Sequence, residues 1–131
     1  MPARILVAED NAQNQELMVY LLRAFGHEVF AADNGSLCLD LLEHESIDLL
    51  LVDVQMPVID GYGVLEAVRS HKRLGSLPVV AVTALAMLGD REQALRAGFD
   101  GYLSKPIEPE LFISQIDLFL PPELRSTRLE S

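Results

Sequence analysis

The segment Asp48-Leu49-Leu50-Leu51-Val52 ends in four consecutive apolar residues and runs directly into a carboxylate, Asp53. A short apolar run bounded by polar residues is typical of a parallel strand that is buried on both faces. Three other segments have the same character, namely Arg4-Ile5-Leu6-Val7-Ala8, Pro78-Val79-Val80-Ala81-Val82 and Gly101-Tyr102-Leu103. We therefore predict buried strands at these four places. The polar residues that follow them along the chain are Glu9-Asp10, Asp53, Thr83 and Ser104-Lys105-Pro106.

Segments with the apolar spacing of helices lie between these strands. Asn11 is placed to cap the first helix, which Gly26 ends, and Asn34-Gly35 opens a second helix after a strand at residues 28–32. Further helices are predicted after Gly61, from about Ala86 to Ala97, and from Glu108 to Pro121-Pro122. The inward positions are predicted to be Leu37, Cys38, Leu41 and Leu42 in the second helix, and Leu111, Phe112, Ile116 and Phe119 in the last.

Strand and helix alternate five times in this pattern, which predicts an α/β fold with a parallel sheet covered on both faces. In such open sheets, residues just beyond the carboxyl ends of the strands converge on one crevice, where ligands bind. That crevice would collect carboxylates, a hydroxyl and an ammonium group from Glu9, Asp10, Asp53, Thr83 and Lys105. Carboxylates suit a hard divalent cation, and the other two groups suit phosphoryl oxygens. The sequence therefore predicts a site for a divalent cation and a phosphoryl group.

Composition excludes several classes of function. The chain has 131 residues, a single cysteine and a formal net charge of −10. This charge argues against direct nucleic-acid binding, because phosphate contacts require clustered Lys and Arg. No apolar run approaches the roughly 18 residues of a membrane span. With one cysteine and no visible signal peptide, we expect a single-domain cytoplasmic protein that does not bind a membrane.

The cysteine and the histidines carry no predicted chemistry. Cys38 lies on an apolar stripe and is predicted to pack in the core. His27, His44 and His71 lack the spacing of metal ligands and are predicted to be solvated side chains.

Four segments together resemble the receiver domain of bacterial two-component response regulators, over about residues 3–120. They are Leu6-Val7-Ala8-Glu9-Asp10-Asn11, Val52-Asp53-Val54-Gln55-Met56-Pro57 with Asp60-Gly61, Val82-Thr83-Ala84, and Tyr102-Leu103-Ser104-Lys105-Pro106. The resemblance implies a doubly wound, flavodoxin-like (βα)5 fold with five strands in the order 2-1-3-4-5. It also implies a receiver domain over residues 1–120, followed by a polar tail or linker start over residues 121–131.

The resemblance assigns a role to each polar group in the crevice. It implies that Asp53 is the phosphoacceptor, supplied by a histidine kinase or a histidine phosphotransfer protein. Mg²⁺ would be bound by Asp10, Asp53 and the backbone carbonyl of Gln55, with Glu9 acting through water. The chain would catalyse only its own phosphorylation and autodephosphorylation.

The same resemblance implies a switch. Lys105 and Thr83 would contact the phosphoryl oxygens, and the Lys105–Pro106 bond is a candidate cis peptide. Movement of Thr83 would let Tyr102 rotate and change the face formed by the fourth helix, fifth strand and fifth helix. An unidentified downstream protein would dock on that face, and the chain would be a monomer or a weak dimer.

Two alternative functions remain open at this point. The chain fits a receiver module of a larger hybrid histidine kinase or multidomain regulator as well as a single-domain switch. A Mg²⁺-dependent phosphatase with an aspartyl-phosphate intermediate is a minor alternative. Phosphatases of the haloacid-dehalogenase-like class carry a second aspartate two residues after the nucleophile, and Gln55 occupies that position here.

Overall fold

The computed structural model describes residues 2–84 and 89–124. Within them, five parallel strands form one sheet in the order β2-β1-β3-β4-β5. The predicted α/β class and the 2-1-3-4-5 strand order are therefore confirmed. The strands are β1 (Arg4–Ala8), β2 (Glu28–Ala32), β3 (Leu49–Asp53), β4 (Val79–Thr83) and β5 (Gly101–Ser104).

Helices follow the strands along the chain and cover the sheet. They are α1 (Ala12–Ala24), α2 (Gly35–His44), α3 (Gly61–Ser70), α4 (Asp90–Ala97) and α5 (Pro109–Asp117), and a short 3-10 turn spans Pro122–Leu124. The side chains of Asn11, Asn34 and Asp60 each accept a backbone hydrogen bond as N-caps. The predicted start of the fourth helix near Ala86 lies outside the described residues. None of the helices in these two ranges is long and apolar enough to cross a membrane.

The core has two halves, one on each face of the sheet. Because side chains alternate along a strand, Ile5 and Val7 face one half while Leu6 and Ala8 face the other. One half packs beneath α2, α3 and α4 and includes Cys38 and Phe99. The other half packs beneath α1 and α5. Both faces of the central strands are buried, which explains their nearly continuous apolar sequence.

The structure corrects the predicted inward positions of Leu111 and Leu37. In α5 the buried residues are Phe112, Ile113 and Ile116, whereas Leu111 is 48% exposed. The helix presents one stripe at i, i+1 and i+4, and Leu111 lies one residue outside it. Phe119 follows the end of α5 and, as predicted, packs half-buried against the core. Leu37, on the first turn of α2, is 40% exposed.

His27 is buried rather than solvated, with 5% of its surface exposed. Its Nδ1 accepts a hydrogen bond of 3.1 Å from the backbone N–H of Ala3, so it joins the start of β2 to the start of β1. Burial lowers the pKa of His27 below its ordinary value of 6.5, and the nearby Asp117 opposes this shift.

Arg69, near the end of α3, ties together the end of the molecule opposite to the strand carboxyl ends. Its guanidinium donates to the backbone carbonyls of Leu77 (2.7 Å) and Gly98 (3.0 Å). It also pairs with the Asp100 carboxylate at 2.8 Å, which itself accepts from the Val79 N–H. Because Gly98 is the C-cap of α4 at φ +117°, these contacts fix the C-terminal end of that helix.

The loop between β3 and α3 contains a strained residue. Val58 has φ +72° and is 79% exposed, and the Ile59 N–H donates to the Pro57 carbonyl across it at 2.9 Å. A β-branched residue is unfavourable in this left-handed region. Ile59 is held closely between two glycines, since a Cβ on Gly35 would lie 2.6 Å from its Cβ and one on Gly63 would lie 2.7 Å from its Cγ2. The packing of Ile59 therefore imposes the conformation of Val58.

The substitution Val58→Asn is expected to raise the free energy of unfolding by about 1 kcal/mol, because Asn tolerates positive φ and little apolar contact is lost. Urea unfolding followed by circular dichroism measures this. Val58→Ala, which removes the branching but keeps a Cβ, should give a smaller gain. A destabilised Val58→Asn variant would contradict the strain argument.

His27 should make stability depend on pH. Its folded-state pKa is depressed, so the fold favours the neutral ring, and stability is lost as pH falls below the ordinary value of 6.5. His27→Asn keeps an acceptor for Ala3 but cannot titrate. Between about pH 7.5 and 5.5, the wild-type free energy of unfolding should fall more steeply than that of the variant. Parallel profiles for the two proteins would refute this assignment.

Candidate functional site

The carboxyl ends of the strands bring the predicted site residues to one edge of the sheet. Glu9 and Asp10 directly follow β1, Asp53 is the last residue of β3, and Thr83 is the last residue of β4. Strands β1 and β3 are neighbours in register, so these acidic groups converge. Ligand atoms of Glu9, Asp10 and Asp53 all lie within 4.8 Å of one another.

Lys105 lies across this acidic group. Its Nζ is 2.7 Å from Glu9 Oε1 and 2.9 Å from Asp53 Oδ2. The backbone N–H of Lys105 donates to the Thr83 carbonyl at 2.9 Å, and the Lys105–Pro106 peptide is cis, as the sequence suggested. The Glu9 side chain is fully buried and that of Asp53 is 5% exposed. Buried carboxylates require such a partner, because their charge is costly without one.

The two oxygens of Asp53 have different partners. Oδ1 accepts a 2.9 Å hydrogen bond from the Gln55 backbone N–H, and Oδ2 pairs with Lys105. The Gln55 side chain points to solvent and is exposed. Thr83 is 1% exposed and ends the strand beside β3. The arrangement leaves a carboxylate held in place by a backbone donor and an ammonium group.

Tyr102 lies on β5 and is half-buried. It packs against the half of the core beneath α2, α3 and α4. Burial raises the pKa of its hydroxyl, and the nearby Asp90 at the start of α4 adds to the shift. Tyr102 therefore lies at the junction of β5 and α4.

Burial of the Glu9 carboxyl disfavours its charged form. Burial raises the pKa of Glu9 to about 7, although Lys105 acts in the opposite direction. Its Oε1 touches the Lys105 ammonium but has no directed hydrogen bond within residues 2–84 and 89–124. Asp10, in contrast, is exposed and accessible from solvent.

These residues fit a small, hard cation. Among the described residues, Lys105 pairs with two of the three clustered carboxylates, Glu9 and Asp53, so negative charge in the cluster exceeds positive charge when all are ionised. Glu9 Oε1 is buried without a directed hydrogen bond within the described residues, and the Lys105 ammonium 2.7 Å away is its ionic partner. Mg²⁺ prefers oxygen ligands and usually needs only one or two carboxylates in addition to waters. The donor set is therefore suited to such an ion.

Gln15, one turn into α1, is a site residue that the sequence analysis missed. Its Nε2 donates to the Glu9 carbonyl and to Asp33 Oδ1, both at 3.0 Å, and lies 3.4 Å from the Ala32 carbonyl. No motif includes this residue. The available signal was its position four residues after the N-cap Asn11, on the turn that faces the end of β1.

Comparison with known sequences identifies the family of these features. The model of the response regulator receiver domain matches residues 5–117. The polar-differentiation response regulator DivK of Brucella anthropi is 38% identical over 120 residues, which cover 92% of this chain and 98% of DivK. Hybrid signal transduction histidine kinase I of Dictyostelium discoideum is 37% identical over 139 aligned residues, covering 100% of this chain and 8% of the kinase.

Solved structures are similar over most of the chain. The receiver domain of a sensor histidine kinase from Pseudomonas aeruginosa has a TM-score of 0.82 at 32% identity, covering 91% of this chain and 98% of that domain. That domain was solved with a magnesium ion coordinated in its active-site cleft. The chemotaxis response regulator CheY4 of Vibrio cholerae has a TM-score of 0.86 at 25% identity, covering 92% and 100% of the two chains.

The raised pKa of Glu9 predicts a pH dependence of stability in metal-free buffer. The folded state retains the proton of Glu9 up to about pH 7, against an ordinary value of 4.5, so this contribution to stability is lost as pH rises through that window. Glu9→Gln should lack the loss, and Glu16→Gln on the exposed side of α1 serves as the control. Urea unfolding in EDTA between about pH 5 and 8 measures it. A constant difference between wild type and Glu9→Gln would contradict the shift.

Proposed function

The chain belongs to the response regulator receiver domain family of two-component systems, and from this premise we propose that Asp53 is its phosphoacceptor. Receiver domains are signalling switches rather than metabolic enzymes. The observation that carries the proposal is the position of Asp53. Its carboxylate is held between the Gln55 N–H and the Lys105 ammonium, within 4.8 Å of two other carboxylates.

The proposed reaction is transfer of a phosphoryl group from a phosphohistidine or a small acyl phosphate. An Asp53 carboxylate oxygen forms a bond to phosphorus while the bond from phosphorus to the donor breaks, and the leaving group keeps that electron pair. A carboxylate is a weak nucleophile, so position and charge must lower the barrier. The hydrogen bond from the Gln55 backbone N–H orients the Asp53 carboxylate before the phosphoryl donor binds.

We propose that Asp10, Asp53 and the Gln55 carbonyl hold Mg²⁺, with Glu9 acting through water. When bound, the cation supplies positive charge that offsets repulsion between Asp53 and the incoming phosphoryl oxygens. Asp10 is exposed and so is accessible to a hydrated ion. Glu9 is buried behind it and holds the other side of the Lys105 ammonium.

Lys105 and Thr83 are proposed to bind the phosphoryl oxygens. The Lys105 ammonium lies 2.9 Å from an Asp53 oxygen, so it could also contact an oxygen of a phosphoryl group bound to Asp53. The Thr83 hydroxyl would donate a hydrogen bond to another oxygen. The backbone bond from Lys105 to the Thr83 carbonyl couples the two residues.

The output is proposed to pass from Thr83 to Tyr102 and then to the face formed by α4, β5 and α5. Tyr102 is half-buried, so a rotation of its side chain would change the exposed surface of β5. Only Ala94 is buried among the residues of α4, so this helix is weakly packed and shifts at low cost. A downstream protein is proposed to bind the changed face. A cytoplasmic location and a monomeric or weakly dimeric state stay predictions.

The domain is proposed to span residues 1–120, with a tail or linker start at 121–131. Leu120 is 3% exposed and belongs to the core half beneath α1 and α5. Leu124 adds a further contact to that half, and residues 125–131 lie outside the described part of the chain.

The same chemistry would serve a receiver within a hybrid histidine kinase, as the match to the Dictyostelium kinase suggests. A phosphatase of the aspartyl-phosphate type is less well supported. It would need a carboxylate at Gln55 to handle the leaving group's proton, and this position carries an exposed amide.

Incubation with acetyl phosphate and Mg²⁺, followed by intact mass measurement, tests the proposal. The wild-type chain should gain one phosphoryl group, and omission of Mg²⁺ should remove the gain. Asp53→Ala should stay unmodified, whereas Asp40→Ala, an exposed control on α2, should behave as wild type. Absence of modification in folded wild-type protein, or persistent modification of Asp53→Ala, would overturn the assignment.

A further inference from the structure

We propose that Gln15 is a positioning residue that orients the Glu9–Asp10 peptide for the divalent cation, an inference that rests on the proposed function. Gln15 Nε2 has two hydrogens, and two acceptors lie at 3.0 Å, the Glu9 carbonyl and Asp33 Oδ1. The Ala32 carbonyl at 3.4 Å is a weaker third contact, since it already accepts from the Glu9 N–H at 2.9 Å. The amide thus joins α1, the end of β1 and the loop after β2.

The N-terminus of α1 places Gln15 at this point. Asn11 is the N-cap, and the Gln15 N–H donates to its carbonyl at 2.9 Å, the first hydrogen bond of the helix. Side chains on a helix lean toward its N-terminus. The Gln15 side chain, one turn after the Asn11 cap, therefore extends back toward Glu9 and Asp10, which directly precede the cap. A side chain as long as Gln is needed to span from the helix to the Glu9 carbonyl.

The Glu9 carbonyl matters because it belongs to the peptide unit that joins the two acidic residues. The Glu9 N–H is fixed to β2 and its carbonyl is fixed to Gln15, so both ends of its backbone are held. The orientation of this peptide plane sets the direction in which Asp10 leaves the strand. On the opposite side, Lys105 holds the Glu9 carboxylate at 2.7 Å. Without Gln15, the hydrogen bond from the Glu9 N–H to the Ala32 carbonyl would be the one backbone contact of Glu9 left among the described residues.

Mg²⁺ makes this orientation important, because it demands nearly ideal octahedral geometry and tolerates little displacement of its ligands. Groups that orient the ligands of a metal typically change affinity by roughly 10-fold or more when removed. A residue that only stabilised α1 would change stability and leave metal affinity unaltered. The two roles are therefore separable by measuring both quantities.

The test compares Gln15→Met, which keeps the length but has no N–H donors, with Gln13→Met on the exposed side of the same helix. Titration calorimetry with MgCl₂ on the full chain measures the dissociation constant, and metal-free thermal unfolding measures stability. Gln15→Met should weaken Mg²⁺ binding by roughly 10-fold while Gln13→Met matches wild type. The phosphorylation rate of Gln15→Met should recover at saturating Mg²⁺, which a general loss of structure would not allow.

Asp33→Ala provides a second, milder variant that leaves Gln15 in place. It removes one of the two acceptors of the amide, so Mg²⁺ affinity should fall by about 2- to 3-fold, and Asp40→Ala should have no effect. If Gln15→Met fails to fold, this pair alone decides the matter. The double variant should bind no more weakly than Gln15→Met, because both changes act through one contact.

Equal Mg²⁺ affinity in Gln15→Met and Gln13→Met, or unchanged affinity in Asp33→Ala when the first variant is unfolded, would overturn the inference. Failure of the proposed function is distinguishable from this result. It would appear as absence of Mg²⁺ binding and phosphorylation in the wild-type chain itself, before any variant is compared.

Discussion

The ion pairs of Lys105 with Glu9 and Asp53 are the contacts on which the carboxyl edge of the sheet depends. Two carboxylates that are 5% exposed or less lie beside each other, and such a pair is tolerated only with a buried cation. The lysine follows β5, which lies two strands from β3 and three from β1 in the sheet. Lys105 must therefore reach across β4, past the buried Thr83, to contact Asp53 and Glu9. This requires both the observed strand order and a side chain as long as lysine.

The parts of the site that could be predicted from sequence are those that local pattern determines. The ends of fully apolar strands are visible in the sequence, so the polar residues at the carboxyl ends of β1, β3, β4 and β5 were located correctly. Contacts between distant residues gave no such signal. The buried His27 accepts a hydrogen bond from Ala3, which is 24 residues away. Gln15 bonds the Glu9 carbonyl, which lies beside it only once the sheet is assembled. The misplaced Leu111 reflects a nine-residue helix, too short for its apolar phase to be unambiguous.

Packing is distributed unevenly around Asp53, the proposed phosphoacceptor. The loop after β3 is clamped because Ile59 lies between Gly35 and Gly63, which joins α2 and α3 to the segment that carries Gln55. On the β1 side, Gln15 fastens the backbone of Glu9. Beyond β4, in contrast, α4 contributes only Ala94 to the core. The half of the edge that holds the proposed nucleophile is thus closely packed, and the half proposed to respond has fewer buried contacts.

The bond from Arg69 to the C-cap of α4 limits how this helix could move in the proposed response. Because Gly98 is bonded to Arg69 of α3, a tilt of α4 would have its pivot at the C-terminal end of the helix. Its eight residues correspond to a length of about 12 Å. A tilt of roughly 10° at the pivot would then sweep the Gly89 end through about 2 Å, with no core residue near the pivot displaced by a comparable amount. If α4 responds to Thr83 as proposed, a small change beside Thr83 would be amplified along one edge of the molecule, about a pivot that the Arg69 guanidinium holds on the other side of the fold.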